Sequence, residues 1–227
     1  MELTEPKHTL IAMCSMQVNR LLKTPQLAIA HIAFLAAVFV LFAILWGQPA
    51  SQFRLSFPLF VTITIFIAAA FSLPGLFNED LKNGIIEFLQ SSKSPLEKYV
   101  ASISLSYNLV LILPSIIIAG VLLLLSGLPI FETITILTMI TICAAIVVSL
   151  TVLTAAFCSD AEGRGSMVGF LSFPLIIPAF LIMDAFVQQF SQGPFHVAYL
   201  LFLLGLLLIS LGLSIVSAAY GLRLALQ

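Results

Sequence analysis

The sequence predicts an all-α, polytopic membrane protein: six transmembrane helices and an amphipathic N-terminal helix, with both termini in the cytosol. Three observations predict it. Of 227 residues, 61% are hydrophobic and only 8% charged, with a mean hydropathy of +1.17, whereas soluble domains carry roughly 25% charged residues. No polar surface can be built around so much apolar side chain, so the solvent is lipid. Second, the apolar residues fall into six runs, each long enough for a hydrocarbon core that needs roughly 20 helical residues. Third, the basic residues sort to one side of the membrane once those runs are threaded through it.

Residues 6–24 (PKHTLIAMCSMQVNRLLKT) are too polar to span. At the helical period, Leu10, Ile11, Cys14, Val18, Leu21 and Leu22 share an arc, opposite Ser15, Asn19, Lys23 and Arg20. This pattern predicts a helix in the interface, its basic residues toward anionic headgroups, serving as a surface anchor or a docking element. The start, MELTEPKHTL, lacks the pattern of a removable signal peptide.

The six spans are expected at about 26–46, 55–76, 99–125, 133–157, 167–187 and 197–222, in one membrane domain covering 1–227. With the N-terminus in the cytosol, Lys7, Arg20, Lys23, Lys82, Lys93, Lys98, Arg164 and Arg223 lie inside and only Arg54 outside. Cys14, Cys143 and Cys158 have no metal-ligand spacing and read as reduced thiols near the cytosolic side.

The one long break between spans, residues 77–98 (FNEDLKNGIIEFLQSSKSPLEK), carries Glu79, Asp80, Lys82, Glu87, Lys93, Glu97 and Lys98. Phe77, Leu81, Ile85, Phe88 and Leu89 share a helical face; Glu79, Asp80, Asn83, Glu87 and Gln90 lie round the others, with Ile86 an apolar exception. A short helix lying flat under the bundle is expected, with a bend or close approach at Gly84, since Gly in a helix interior costs about 1 kcal/mol relative to Ala. Ser94-Pro95-Leu96-Glu97 reads as a capping box that opens the third span, with Pro95 at its first helical position. A solvated loop is the plainer reading; the apolar face and the length favour a docking element.

Catalytic motifs are absent from the sequence. It has no G-x-x-x-x-G-K-[ST] phosphate loop, no H-E-x-x-H, no Cys-x-x-Cys and no G-x-S-x-G. His8, His31 and His196 fall at different levels of the topology and predict no shared metal site. Two ionisable residues in or near spans are candidate cofactor contacts: His31 in the first span and Asp184 at the outer end of the fifth. The plainer reading of each is a group satisfied at the interface. Glu132 opens the fourth span, where a helix N-terminus favours a carboxylate. Prolines at 58, 74, 114, 174 and 178 punctuate the spans, and FPLIIPAF predicts that the fifth is the most irregular.

The amphipathic first helix, the six spans and the second-span exit LPGLFNEDLKNGIIEFL together resemble the CcmB family, membrane subunits of the haem exporter complex of cytochrome c maturation. The similarity covers essentially the whole chain. It is densest at Leu76-Phe77, Asp80-Leu81, Gly84 and Glu87-Phe88-Leu89, with support from Met183-Asp184-Ala185 and the ending LRLALQ. The chain departs from the family pattern at Asn83, where an acidic residue is common, and at Ser102, where a basic one is.

The resemblance implies an ABC-2-like permease in the bacterial inner membrane with no ATPase domain of its own. It implies a second copy of the chain, a separate cytosolic CcmA-like ATPase holding the ATP, a haem-handling CcmC-like protein and a small single-span CcmD-like subunit. Haem is then the possible transported substrate, and no cofactor is assigned to this chain. On this reading Glu79, Asp80, Gly84, Ile86 and Glu87 face the ATPase, while Phe77, Leu81, Ile85, Phe88 and Leu89 pack on the bundle. Two alternatives remain open: an ABC-2-type exporter of lipid, drug or polysaccharide, and a non-transporting scaffold that joins the ATPase to the haem-handling subunits. A secondary carrier fits poorly, because no inverted repeat is visible.

Overall fold

A computed structural model describes residues 10–23, 33, 36–37, 40, 50–91, 95–125, 129–159, 164–190 and 197–226. All the elements among them are helical. They are α1 (Leu10–Lys23), α2 (Ala50–Lys82), α3 (Ile85–Ser91), α4 (Leu96–Tyr107), a π-turn (Asn108–Ile112), α5 (Leu113–Leu125), α6 (Ile130–Phe157), α7 (Arg164–Phe190) and α8 (Val197–Leu224).

Among the described residues, four stretches are long and apolar enough to cross a membrane: Leu96–Leu124, Ile130–Phe157, Met167–Gln188 and Ala198–Leu224. They coincide with the last four expected spans, and the chain is a multi-pass membrane protein. The second expected span lies within α2, whose 33 residues include the apolar stretch Ser56–Ala70. The first, residues 26–46 with His31, lies outside the described residues apart from helical positions 33, 36, 37 and 40.

α6 is the axle of the bundle. It packs against α8, α2, α7 and α5, and 78% of its most apolar window is buried, against 17% for α8. A helix that is apolar all round belongs in the interior. Its small residues Ala144, Ala155 and Ala156 are fully buried, which lets neighbouring backbones approach. Two of its buried hydroxyls bond back to carbonyls four residues earlier, Ser149 to Ala145 and Thr151 to Val147, and so are satisfied within the helix. Two bonds tie α6 to α7: the Thr154 and Ser172 hydroxyls lie 3.0 Å apart, and the Cys143 thiol donates to the Ala179 carbonyl at 3.5 Å. Cys143 therefore sits mid-span, not near the cytosolic side as the sequence reading placed it. All three cysteines are free thiols.

Other boundaries also shift. α6 starts at Ile130 behind an N-cap Pro129, so Glu132 lies in its first turn rather than capping it. α7 runs unbroken through Pro174 and Pro178. The third span is irregular too: its helix widens into the π-turn just before Pro114.

Candidate functional site

The break expected as one flat helix is a corner. α2 continues past the expected end of the second span to Lys82, so Phe77–Leu81 belong to a long helix that contains the apolar stretch Ser56–Ala70. It stops because Gly84 adopts φ +69, the left-handed conformation that glycine takes without steric cost. The Asn83 and Gly84 amides close onto the Glu79 and Leu81 carbonyls. The Gly84 carbonyl in turn accepts from the Phe88 amide and starts α3. One residue thus ends one helix and opens the next. Ser94 lies outside the described residues, and Pro95 takes the N-cap of α4 rather than its first helical position.

Three elements converge on Asp80, which is fully buried. Its Oδ1 accepts from Nη1 of Arg20 on α1 at 2.5 Å, and its Oδ2 accepts from the Tyr99 hydroxyl on α4. Arg20 Nη2 also reaches Oε2 of the exposed Glu79 at 3.1 Å. Burial works against the Arg20 charge, but the hydrogen bond and charge of Asp80 outweigh it and hold the guanidinium pKa above its ordinary value. A buried carboxylate stripped of its partner typically costs 3–5 kcal/mol, so Asp80 clamps α1, α2 and α4 together. Nearby, the Ser106 hydroxyl lies 3.2 Å from the Cys14 carbonyl and the Cys14 thiol 3.8 Å from the Ser102 carbonyl, which seats α1 along α4. Arg223, in the last turn of α8, donates to Glu97 at the start of α4 at 2.6 Å.

The corner rearranges the sequence-based assignment. Asp80, expected to face a partner, is internal. Ile86, expected outward, is 0% exposed, while Phe88, expected to pack, is 68% exposed. The reason is the turn at Gly84: a helical wheel drawn through it assumes a phase that the left-handed residue resets. Phe77 is fully buried, and Leu81 and Leu89 pack on the core. Glu79, Glu87 and Phe88 are exposed, with Gly84 and Ile85 half-buried. The outward surface of the corner is therefore Glu79, Glu87 and Phe88, flanked by Lys82 and Asn83.

Arg20 and Tyr99 were missed as site residues. Arg20 was assigned to headgroups and Tyr99 was given no role, since no periodicity links positions 60 and 19 apart. A basic residue beside the apolar arc and a tyrosine opening a span are weak signals, meaningful only once Asp80 is placed between them. Asp184 is half-buried and accepts from Gln188, one turn on in α7, at 2.7 Å. Among the described residues no cluster of three or more His, Cys, Asp or Glu could hold a metal.

A helical bundle with apolar spans and a charged corner at one end defines a multi-pass membrane protein. The family profile for the CcmB protein matches residues 12–225, and the chain belongs to the CcmB family. Membership places it in the haem exporter system of cytochrome c biogenesis, as an ABC-type permease component. None of the curated proteins compared with it matches the chain.

Proposed function

We propose that this chain couples a separate cytosolic ATPase to the membrane in haem export or haem-chaperone release, and that the α2–α3 corner is where the ATPase docks. One observation carries the reading: α2 is a continuous helix that runs from the apolar stretch Ser56–Ala70 into a corner whose end is clamped by Arg20, Asp80 and Tyr99. A push on such a corner reaches the bundle through a rigid element, which is what biasing a two-state membrane protein requires. Glu79, Glu87 and Phe88 make the contact; Asp80 and Ile86 hold the surface in place. Six spans with both termini cytosolic put the corner on the ATP side, in the bacterial inner membrane. Arg223 at the end of α8 and Arg20 on α1 lie at the same end as the corner, which supports that orientation. CcmC-like and CcmD-like subunits and a second copy of the chain complete the assembly, with haem as cargo and ATP on the partner.

The test is a pull-down of the tagged protein from native membranes in mild detergent, with ATPase activity and visible absorption read on one sample. The double substitution Glu87→Lys, Phe88→Ala is expected to lose the ATPase while the folded bundle purifies at normal yield. Full retention of ATPase by that variant overturns the docking surface. A Soret band in the wild-type complex supports haem as cargo, and its absence from an ATPase-containing complex points to a different cargo.

A further inference from the structure

Among the described residues, six buried side-chain oxygens have no hydrogen-bond partner, on Gln17, Ser104, Tyr107, Asn108, Thr133 and Ser159. Three of these, from Ser104, Tyr107 and Asn108, fall within one turn of the third span. Ser104 is 1% exposed and Tyr107 2%. Positions i, i+3 and i+4 share a helix face. Asn108 Nδ2 donates to the Ser104 carbonyl at 2.7 Å, which fixes the side chain and leaves its Oδ1 as an unused acceptor. The residues that seat α1, Ser102 and Ser106, lie on a different side of α4.

A second observation falls at the same place. The helix widens into the π-turn at Asn108–Ile112, and Pro114, just beyond it, cannot donate to the Val110 carbonyl. Such single-turn π segments mark joints in otherwise regular helices. The two halves of this span also have different attachments. α4 is tied to the corner by Tyr99, to α1 by Ser102 and Ser106, and to α8 by Glu97. α5 is tied to the axle, where a Cβ on Gly120 would stand 3.3 Å from Leu137 Cδ1.

We propose that Ser104, Tyr107 and Asn108 bind ordered water inside the bundle, and that the hydrated π-turn is the joint at which α4 moves against α5. Buried oxygens of this kind are normally completed by water that makes two to four hydrogen bonds. Here a water donates to Asn108 Oδ1 and accepts from the Ser104 and Tyr107 hydroxyls. Water suits a joint because it exchanges partners as the helix bends, whereas a direct side-chain bond would hold one geometry. Tyr99 provides an internal control: it is as buried as Tyr107, but its hydroxyl is occupied by Asp80.

Hydroxyl-radical footprinting of the full-length purified protein tests the water, because radicals generated from bound water mark the side chain beside it. Tyr107 is expected to be modified several-fold faster than Tyr99; equal protection of the two overturns the water site. Amide hydrogen exchange tests the joint. The amides of residues 109–113 are expected to exchange several-fold faster than those of residues 116–122 in α5, and equal rates overturn the hinge. The double variant Ser104→Ala, Asn108→Leu is expected to slow Tyr107 modification while Tyr99 is unchanged. An unchanged Tyr107 rate in that variant counts against the water site. Neither measurement needs the ATPase, so failure here is distinct from failure of the docking surface.

Discussion

Asp80 concentrates the electrostatics of the corner in one buried side chain, so its removal should be felt on three helices at once. Asp80→Ala leaves the Tyr99 hydroxyl buried without its acceptor and takes from Arg20 its buried carboxylate. Loss of about 3–5 kcal/mol is expected, as for other buried pairs broken from one side. Arg20→Met is expected to cost at least as much, because it leaves the fully buried Asp80 carboxylate without its cation. A double-mutant cycle in detergent melts should show coupling of about 0.5–3 kcal/mol; additive effects would mean the pair does not form. Gly84 makes a separate prediction. Ala at its φ of +69 costs about 1–2 kcal/mol, and Asn is tolerated better because it visits the left-handed region more readily. The expected order of melting temperatures is Gly84, then Asn, then Ala. The thiols differ too: Cys158 is buried, and burial pushes its pKa up, whereas Cys14 is half-buried. Maleimide labelling should reach Cys14 well before Cys158 in the folded protein, and similar rates would contradict the burial of Cys158.

At the scale of single elements, the sequence was most legible where one pattern decided the outcome. The last four spans follow from apolar length alone, since nothing but a helix satisfies its backbone in lipid. The corner was half legible. Gly84 signalled a break, but a helical wheel cannot say that the break resets the phase, so Ile86 and Phe88 exchanged places. α1 shows the same limit. Its apolar arc was read as one lipid-facing side, yet Met13, Gln17 and Leu21 are buried against protein while Ile11 and Leu22 are exposed. The buried side, which faces α4, shares only Leu21 with that arc and includes the polar Gln17, so hydropathy does not mark it. Adjacent leucines make this testable. Leu21→Ala is expected to cost about 2–5 kcal/mol as a buried large-to-small change. Leu22→Ala should be nearly silent in the same melt, and equal costs would mean that α1 sits in another rotation.

For the whole molecule, the proposed reading takes α2 across the membrane, and the informative quantity is its length against that thickness. Thirty-three residues at 1.5 Å rise make about 50 Å, and the hydrocarbon core takes about 30 Å. Roughly 20 Å is left for the headgroups and the approach to the corner, so on that reading the span and the proposed docking element are one continuous helix. The proposed joint in the third span complements it: one arm of the corner is stiff, and the other bends at Asn108–Ile112. If motion enters through the stiff arm, breaking that arm should separate binding from coupling. Asn78→Pro does this, because proline at this position removes the amide bond to the Pro74 carbonyl and kinks the helix, at a cost of about 3 kcal/mol. Glu87 and Phe88 lie beyond the kink on α3 and remain outward. The variant is expected to retain the ATPase in pull-downs while cytochrome c maturation in cells falls to background. Normal maturation with a kinked α2 would show that coupling bypasses this helix and runs through α1 or α4 instead.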